Sequence, residues 1–137
     1  MTEPERQLEV FVWLSVESDK RAAEDISSLI GLNADRSWKI GDFRGRTKLV
    51  HRLNGWAVDS RLERRTFDPE AHIDDLMQRV RPYAEKIQDI AVTDETILHC
   101  VLYTNQRVAV HLPVETLAWI SRLGAALDLE IYFLPDD

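Results

Sequence analysis

Leu8-Glu9-Val10-Phe11-Val12-Trp13-Leu14-Ser15-Val16 is the stretch of the sequence that decides the fold. Its β-branched and aromatic residues predict a strand that is buried on both faces over part of its length. Ser18 and Asp19 follow as N-cap residues of a short helix, in which apolar residues recur at three- and four-residue spacing. Gly31 ends this helix because glycine adopts positive φ at little cost. Strand one therefore leads directly into helix one.

A β-hairpin is predicted further along, at the Asn54-Gly55 pair. Both residues tolerate positive φ, so the pair predicts a tight turn between strands at residues 47–53 and 56–62. The preceding residues 33–45 have no periodicity and contain two glycines, which predicts a loop with Trp38 and Phe43 as aromatic anchors.

The second half of the chain predicts two more helices. Asp68 is the N-cap of a helix over residues 69–91, and Pro82 inside it predicts a kink or two abutting helices. Strands are predicted at 96–103, 107–112 and 129–134, with a helix opened by Pro113 before the last. The element order β-α-β-β-α-β-β-α-β predicts a single α+β domain over residues 1–137, with flexible tails at 1–7 and 135–137. We expect a mixed, mostly antiparallel sheet with helices packed on it, loosely ferredoxin-like.

Composition places the chain among soluble globular domains. It has 137 residues, a net charge of −7, 45% hydrophobic residues and one cysteine. The single cysteine excludes an internal disulfide, and no apolar run is long enough to cross a bilayer or to serve as a signal peptide. We therefore expect a cytoplasmic protein with no membrane partner.

Several short motifs resemble one known family. They are Leu29-Ile30-Gly31-Leu32, the Lys39-Ile40-Gly41-Asp42 loop, Trp56, the helix Ala71-His72-Ile73-Asp74-Asp75-Leu76 with Arg81-Pro82, and the close Leu123-Gly124-Ala125-Ala126-Leu127-Asp128-Leu129-Glu130-Ile131-Tyr132. Over residues 10–133 the chain resembles the bacterial domain-of-unknown-function family 4279. The family often has a proline where this chain has Asn33-Ala34, and aspartate where it has Glu130. The resemblance implies a small bacterial cytoplasmic domain with no established catalytic residues.

Charge is unevenly spread along the sequence. Residues 36–65 contain nine Arg or Lys against three acidic residues, a net +6, which leaves −13 for the remainder. A basic segment with aromatic anchors is typical of a site for a phosphate, a nucleotide or an acidic partner surface, and the candidate binding residues are Trp38, Arg44, Arg46, Trp56 and Arg61. Two alternatives stay open: the basic residues pair internally with the acidic helix at 68–89, or the two tryptophans form a local core under the 33–45 loop.

The sequence contains no motif for catalysis, metal or cofactor binding. His72 and Asp75 are spaced to share a metal on a helix, but no second pair completes the ligand set, so we expect a solvated surface pair. His99 and Cys100 are neighbours on a strand and point to opposite faces, so they are not a nucleophile and its base. Cys100, Trp13 and Trp119 are predicted core residues. We expect no enzyme activity, no metal and no cofactor.

Two functions are consistent with these patterns. The first is a protein-binding module such as an immunity or antitoxin-like inhibitor, because small acidic bacterial proteins include many that neutralise toxins. Its partner is then toxin-like, and a basic partner would match the −13 remainder. The alternative is a regulatory domain that binds a small anion or nucleotide through residues 36–65. The overall −7 argues against nucleic acid as the main ligand. A homodimer is also possible if the strand at 8–16 is an exposed edge.

Overall fold

The computed structural model describes residues 8–66 and 68–135 and shows one α+β domain. The elements in chain order are β1 (Leu8–Ser18), α1 (Ala23–Ile30), β2 (Arg36–Trp38), β3 (Asn54–Asp59), α2 (Pro69–Val80), a 3₁₀ turn (Arg81–Tyr83), α3 (Ala84–Ala91), β4 (Glu95–Thr104), α4 (Val114–Arg122) and β5 (Ala126–Phe133). Of the predicted tails at 1–7 and 135–137, residues 1–7 and 136–137 lie outside the described residues.

The five strands form one sheet in the order β2-β3-β1-β4-β5. β1 is antiparallel to both β3 and β4, and β2 is antiparallel to β3. β4 and β5 are parallel and are connected through α4, as a parallel pair requires a crossover. The predicted mixed, mostly antiparallel sheet with helices packed on it is therefore confirmed.

β1 places one row of side chains in the core. Its even-numbered residues Leu8 to Val16 are at most 3% exposed and pack with the apolar stripes of the helices, of which Ile26, Ile73 and Ile87 are fully buried. The odd-numbered residues Glu9, Phe11, Trp13 and Glu17 are only half-buried, because they point to the sheet face away from this core. We call that second face the open face.

The long helix begins and breaks where the sequence predicts. The Asp68 carboxylate accepts a hydrogen bond from the Ala71 amide at 3.2 Å, and Pro69 takes the first helical position. Pro82 lies in the 3₁₀ turn that divides α2 from α3. Gly31 ends α1 with φ 86° as predicted, whereas Ser18 accepts amide hydrogen bonds from Lys20 and Arg21 and is not the cap of α1.

The predicted hairpin turn at Asn54-Gly55 is wrong. Both residues belong to β3, and Gly55 lies opposite Trp38 of β2. A Cβ at Gly55 would be 1.8 Å from Cε2 of Trp38, so glycine is required here by the close approach of an indole ring and not by a turn. The chain reverses instead through residues 39–53, where the predicted strand at 47–53 is reduced to one bridge between Phe43 and Val50.

Two further predictions about strands are also wrong. Residues 107–112 are not a strand, and their alternation has another cause: Val108, Val110 and Leu112 pack against the core from an unpaired segment. The sheet therefore has five strands where six were predicted. β1 is the central strand with partners on both sides, so it offers no free edge for pairing between chains.

Candidate functional site

The open face has an unusual number of ring contacts. Trp13 of β1 and His99 of β4 are cross-strand neighbours whose rings stack at 4.6 Å, and the Arg36 guanidinium lies 5.2 Å from the Trp13 ring centre on the other side. Tyr103 contacts Phe11 edge to face at 5.8 Å and stacks on Tyr132 of β5 at 5.1 Å. Planar groups from β1, β4 and β5, with Arg36 of β2, thus lie side by side across this face.

Residues 39–53 form a β-ribbon-like loop beside the open face, which we call the arm. Backbone hydrogen bonds hold its two halves together, from Gly41 N to His51 O (2.9 Å), His51 N to Asp42 O (2.8 Å) and Arg44 N to Leu49 O (2.8 Å). The Asn54 side chain accepts a hydrogen bond from the Ile40 amide at 3.0 Å and so fixes the base of the arm to β3. The arm is therefore an ordered projection.

A groove of about 740 Å³ lies between the arm and the open face. Its walls are Trp13, Ser15, Glu17, Arg36, Trp38 and His99 from the strands, with Arg44, Lys48, Leu49, Val50, His51, Arg52 and Leu53 from the arm. The Trp38 indole packs on the Gly55 backbone and stacks with the His51 ring at 5.0 Å. We call this cavity the arm groove; its volume lies in the range of about 300–1,000 Å³ that small-ligand sites occupy.

The basic side chains of the arm form no salt bridge with an acidic side chain in the described residues. Lys39, Arg44, Arg46, Lys48 and Arg52 have no acidic oxygen within 4 Å in the described ranges. Burial raises the pKa of the Glu17 carboxyl at the groove floor, and the nearby Glu95 charge raises it further, while His51 and Arg44 act in the opposite direction. The arm groove therefore presents several unpaired cations and one carboxyl that is easier to protonate than usual.

Ser15 and His99 form a polar pair at the floor of the arm groove. The Ser15 hydroxyl and Nε2 of His99 are 2.9 Å apart, and burial lowers the pKa of His99, which keeps the ring neutral at pH 7. The hydroxyl nevertheless belongs to a residue that is 1% exposed in a strand paired on both sides. The backbone of β1 around Ser15 is paired with β3 and β4, so its amides are not free to stabilise an oxyanion. The Ser15–His99 pair therefore orders the groove floor and does not resemble a nucleophile with its base.

A second groove of about 730 Å³ continues along the open face on the far side of Arg36. It is lined mainly by the apolar and aromatic side chains of Phe11, Trp13, Leu62, Val101 and Tyr103. Ion pairs lie at its margins, Arg36 with Asp59 at 2.7 Å and Arg64 with Glu9 at 3.3 Å. The two cations of this region are thus neutralised, in contrast to those of the arm.

The predicted site residues separate into three groups. Trp38 and Arg44 line the arm groove, and Arg46 lies exposed in the same arm. Trp56 is completely buried in the main core, where its Nε1 donates to the Leu32 carbonyl at 3.1 Å, so its prediction as a surface anchor is wrong. Arg61 follows β3, and its amide donates to the Asp75 carboxylate at 2.8 Å; it does not line the arm groove.

The proposed internal pairing of the basic segment with the acidic helix is absent from the described residues. Arg36 and Arg64 are paired, but with Asp59 and Glu9, both of them in strands. The ion pair that joins the helix to this region has the opposite polarity, with Arg79 of α2 donating to Asp35. The arm cations form no ion pair with this helix in the described part of the chain.

His72 and Asp75 are neither a metal site nor a solvated surface pair. His72 is 1% exposed, with Nδ1 at 3.3 Å from the Ser60 hydroxyl and Nε2 at 3.2 Å from the Thr66 carbonyl. Asp75 accepts from Ser60 at 3.2 Å as well as from the Arg61 amide. The pair therefore anchors the segment after β3 to α2, and residues 8–66 and 68–135 hold no cluster of metal-ligating side chains.

Sequence reasoning missed Trp13, Ser15, His99 and Arg36 as groove residues. Alternation along β1 places Trp13 and Ser15 on the face opposite the Val and Leu row, which is visible in the sequence. That His99 and Arg36 are their neighbours depends on the pairing of β1 with β4 and on β2, which a single sequence does not show.

The fold and site define a small α+β domain with one open, aromatic sheet face and a basic arm beside it. The family model described as domain of unknown function (DUF4279) matches residues 7–134, nearly the whole chain, and the chain belongs to that family. No curated protein and no solved structure matches it. Within the described residues, the helices are all too short or too polar to span a membrane.

Proposed function

We propose that this protein is a non-catalytic, cytoplasmic protein-binding module of bacteria, of the immunity or antitoxin type, and that its arm contacts an acidic surface of the partner. The observation that carries the proposal is the composition of the arm surface. Ile40, Phe43, Leu49 and Val50 are 46–68% exposed there, among five unpaired cations. An apolar centre with a charged rim is the usual anatomy of a protein interface.

The energetics favour a contact of this kind. Three arginines of the arm are exposed and form no salt bridge in the described chain: Arg44, Arg46 and Arg52. Pairing them with carboxylates of a partner therefore breaks no internal ion pair. Phe43, at 68% exposed, gains most by burial against a partner. Complementary charge accelerates association, so the rate should fall as salt is added.

The test is co-expression of the protein with the products of its neighbouring genes, one at a time, followed by size-exclusion chromatography. We expect one stoichiometric complex, which Arg44→Glu/Arg46→Glu abolishes. The matched control Lys20→Glu/Lys86→Glu makes the same charge change on exposed residues outside the arm and should leave the complex intact.

A third variant separates acidic from basic partners. Glu85→Lys/Asp89→Lys reverses charge on the exposed side of α3. If this variant abolishes the complex and the arm variant does not, the partner is basic and binds the acidic remainder, which overturns the proposed contact. A set of neighbouring products that yields no complex overturns the protein-binding function itself.

A small-anion or nucleotide site is the second candidate function, favoured by the arm groove. Trp38 and His51 offer a stacked aromatic wall, and Arg44, Lys48 and Arg52 lie around it. We expect AMP, GMP or inorganic phosphate to raise the melting temperature of the wild type but not that of Arg44→Ala/Arg52→Ala. If none of these probes shifts the melting temperature of the wild type, this candidate is excluded.

A further inference from the structure

The open face has opposite charges at its two sides. On the β2 side lie the arm cations Arg44, Lys48 and Arg52. On the β4–β5 side lie Glu95, Asp128 and Glu130, which have no basic group within 4 Å in the part of the chain described here. Between the two sides lies the aromatic group of Phe11, Trp13, Tyr103 and Tyr132.

The strand register places the carboxylates of β4 and β5 at different levels along the strands. Glu95 is opposite Glu17, which is opposite Gly55 and so lies level with Trp38 at the base of the arm. Asp128 is opposite His99, which is opposite Trp13, and His99 and Trp13 both line the arm groove. Glu130 is opposite Val101 and so lies level with Phe11, outside the arm groove. Glu95 and Asp128 are therefore the carboxylates that lie level with the arm groove.

We propose that two copies of this chain associate through their open faces, around a two-fold axis parallel to the strands. Such an axis exchanges the left and right sides of the sheet and keeps positions along the strands unchanged. It therefore places the arm of each copy over the carboxylates Glu95 and Asp128 of the other, twice per dimer. The aromatic side chains of the two copies meet at the centre, where Phe11, Trp13 and Tyr103 are only partly buried.

The size of the face is sufficient for a stable contact. β1, β4 and β5 have eight to eleven residues, β3 has six and β2 has three. At about 3.3 Å per residue and about 4.8 Å between strands, the sheet covers roughly 600 Å² in projection. With the arm added, this approaches the approximately 800 Å² per partner of a standard interface. A contact between arms alone would be smaller and would oppose like charges.

The proposal goes beyond the proposed function, since it concerns the purified chain with no other protein present. It also connects the two, because a dimer of this kind covers the arm. An acidic partner then competes with the second copy, and binding of the partner should dissociate the dimer.

Reciprocal charge reversal provides the test, by analytical ultracentrifugation at low salt. Variant one is Arg44→Glu/Lys48→Glu and variant two is Glu95→Lys/Asp128→Lys. We expect the wild type to be dimeric, and each variant alone to have a dimer dissociation constant raised about tenfold or more. An equimolar mixture should restore the dimer, because each reversed side then meets an oppositely charged side in the other variant.

The matched control is the variant Lys20→Glu/Lys86→Glu, which should dimerise like the wild type. Circular dichroism verifies that every variant is folded. A wild type that stays monomeric at all concentrations overturns the dimer, and so does a mixture that remains monomeric. Neither result affects the proposed binding of an acidic partner, which is measured separately by co-expression.

Discussion

The position of Trp38 in the arm groove depends on Gly55, because glycine has no Cβ. The indole of Trp38 lies so close to the Gly55 backbone that a Cβ would be 1.8 Å from Cε2 and 2.3 Å from Nε1. This contact presents the other side of the indole to His51 and hence shapes the arm groove. Glycine is required for space, since its φ is not in the positive region that L residues avoid.

We therefore predict that Gly55→Ala displaces Trp38 and lowers the free energy of unfolding by about 1–3 kcal/mol, as overpacking does in other cores. Urea unfolding and tryptophan fluorescence measure the two effects. The control is a double-mutant cycle, in which Gly55→Ala should cost much less in a Trp38→Ala background. An equal cost in both backgrounds would show that the clash with Trp38 is not the cause.

At the scale of elements, the segment that follows β3 is attached to α2 by side chains. Ser60, His72 and Asp75 form a connected hydrogen-bond group, and His72 also contacts the Thr66 carbonyl. The carboxylate of Asp75 accepts two of these bonds, from the Ser60 hydroxyl and the Arg61 amide. Removing it leaves the Arg61 amide without its acceptor and the Ser60 hydroxyl with only the His72 ring as a partner.

Asp75→Ala should lower the free energy of unfolding by about 1–3 kcal/mol and expose residues 61–66 to proteolysis. The measurements are urea unfolding and limited digestion. Asp89→Ala, on an exposed position of α3 with no ion pair in the described chain, should change stability by less than about 0.5 kcal/mol. Equal effects of the two substitutions would contradict the anchoring role of Asp75.

The sequence predicts the features of the fold that depend on neighbouring residues, and it does not predict those that depend on contacts between strands. Alternation in β1, the cap at Asp68 and the break at Pro82 are local, and each was predicted correctly. The turn prediction at Asn54-Gly55 is wrong because the local turn preference of this pair is overridden by a contact between strands. The Trp38 indole of β2 packs directly on Gly55 of β3. The prediction for Trp56 is wrong because Trp56 lies opposite Val16 on the core face of β3, and a single sequence does not show which face of β3 is covered. The site beyond Trp38 and Arg44 depends on strand pairing, which is non-local.

At the scale of the whole molecule, one ion pair ties the sheet to the helical layer. Arg79 of α2 donates to both carboxylate oxygens of Asp35, at 2.9 Å for Oδ1, and also to the Asp59 carbonyl at 3.1 Å. The hydrogen bond from Arg79 holds the pKa of Asp35 below its usual value, although partial burial opposes this. Asp35 also accepts from the Asp59 amide, so the pair joins α2 to the β2–β3 side of the sheet.

The lowered pKa of Asp35 gives a pH dependence with a definite sign. In the unfolded chain Asp35 takes up its proton near pH 4, and in the folded chain only at lower pH. Its contribution to stability is therefore present above about pH 4 and is lost as the pH falls towards the folded pKa. Unfolding midpoints from pH 7 to pH 3 should show a smaller loss on acidification in Asp35→Asn than in the wild type. Asp89→Asn should follow the wild type, and parallel curves for all three proteins would contradict the pair's contribution.

The central position of β1 has a consequence for synthesis on the ribosome. β1 is translated before its neighbour β4, which is almost eighty residues further along the chain, with Glu17 opposite Glu95. The apolar side chains from Leu8 to Val16, which are buried in the folded protein, therefore stay partly exposed to solvent while β3 and the helices are translated. Contacts between residues so far apart in the sequence slow folding, and meanwhile aggregation-prone apolar segments of the nascent chain stay exposed. We expect this chain to need chaperone protection until β4 has been translated.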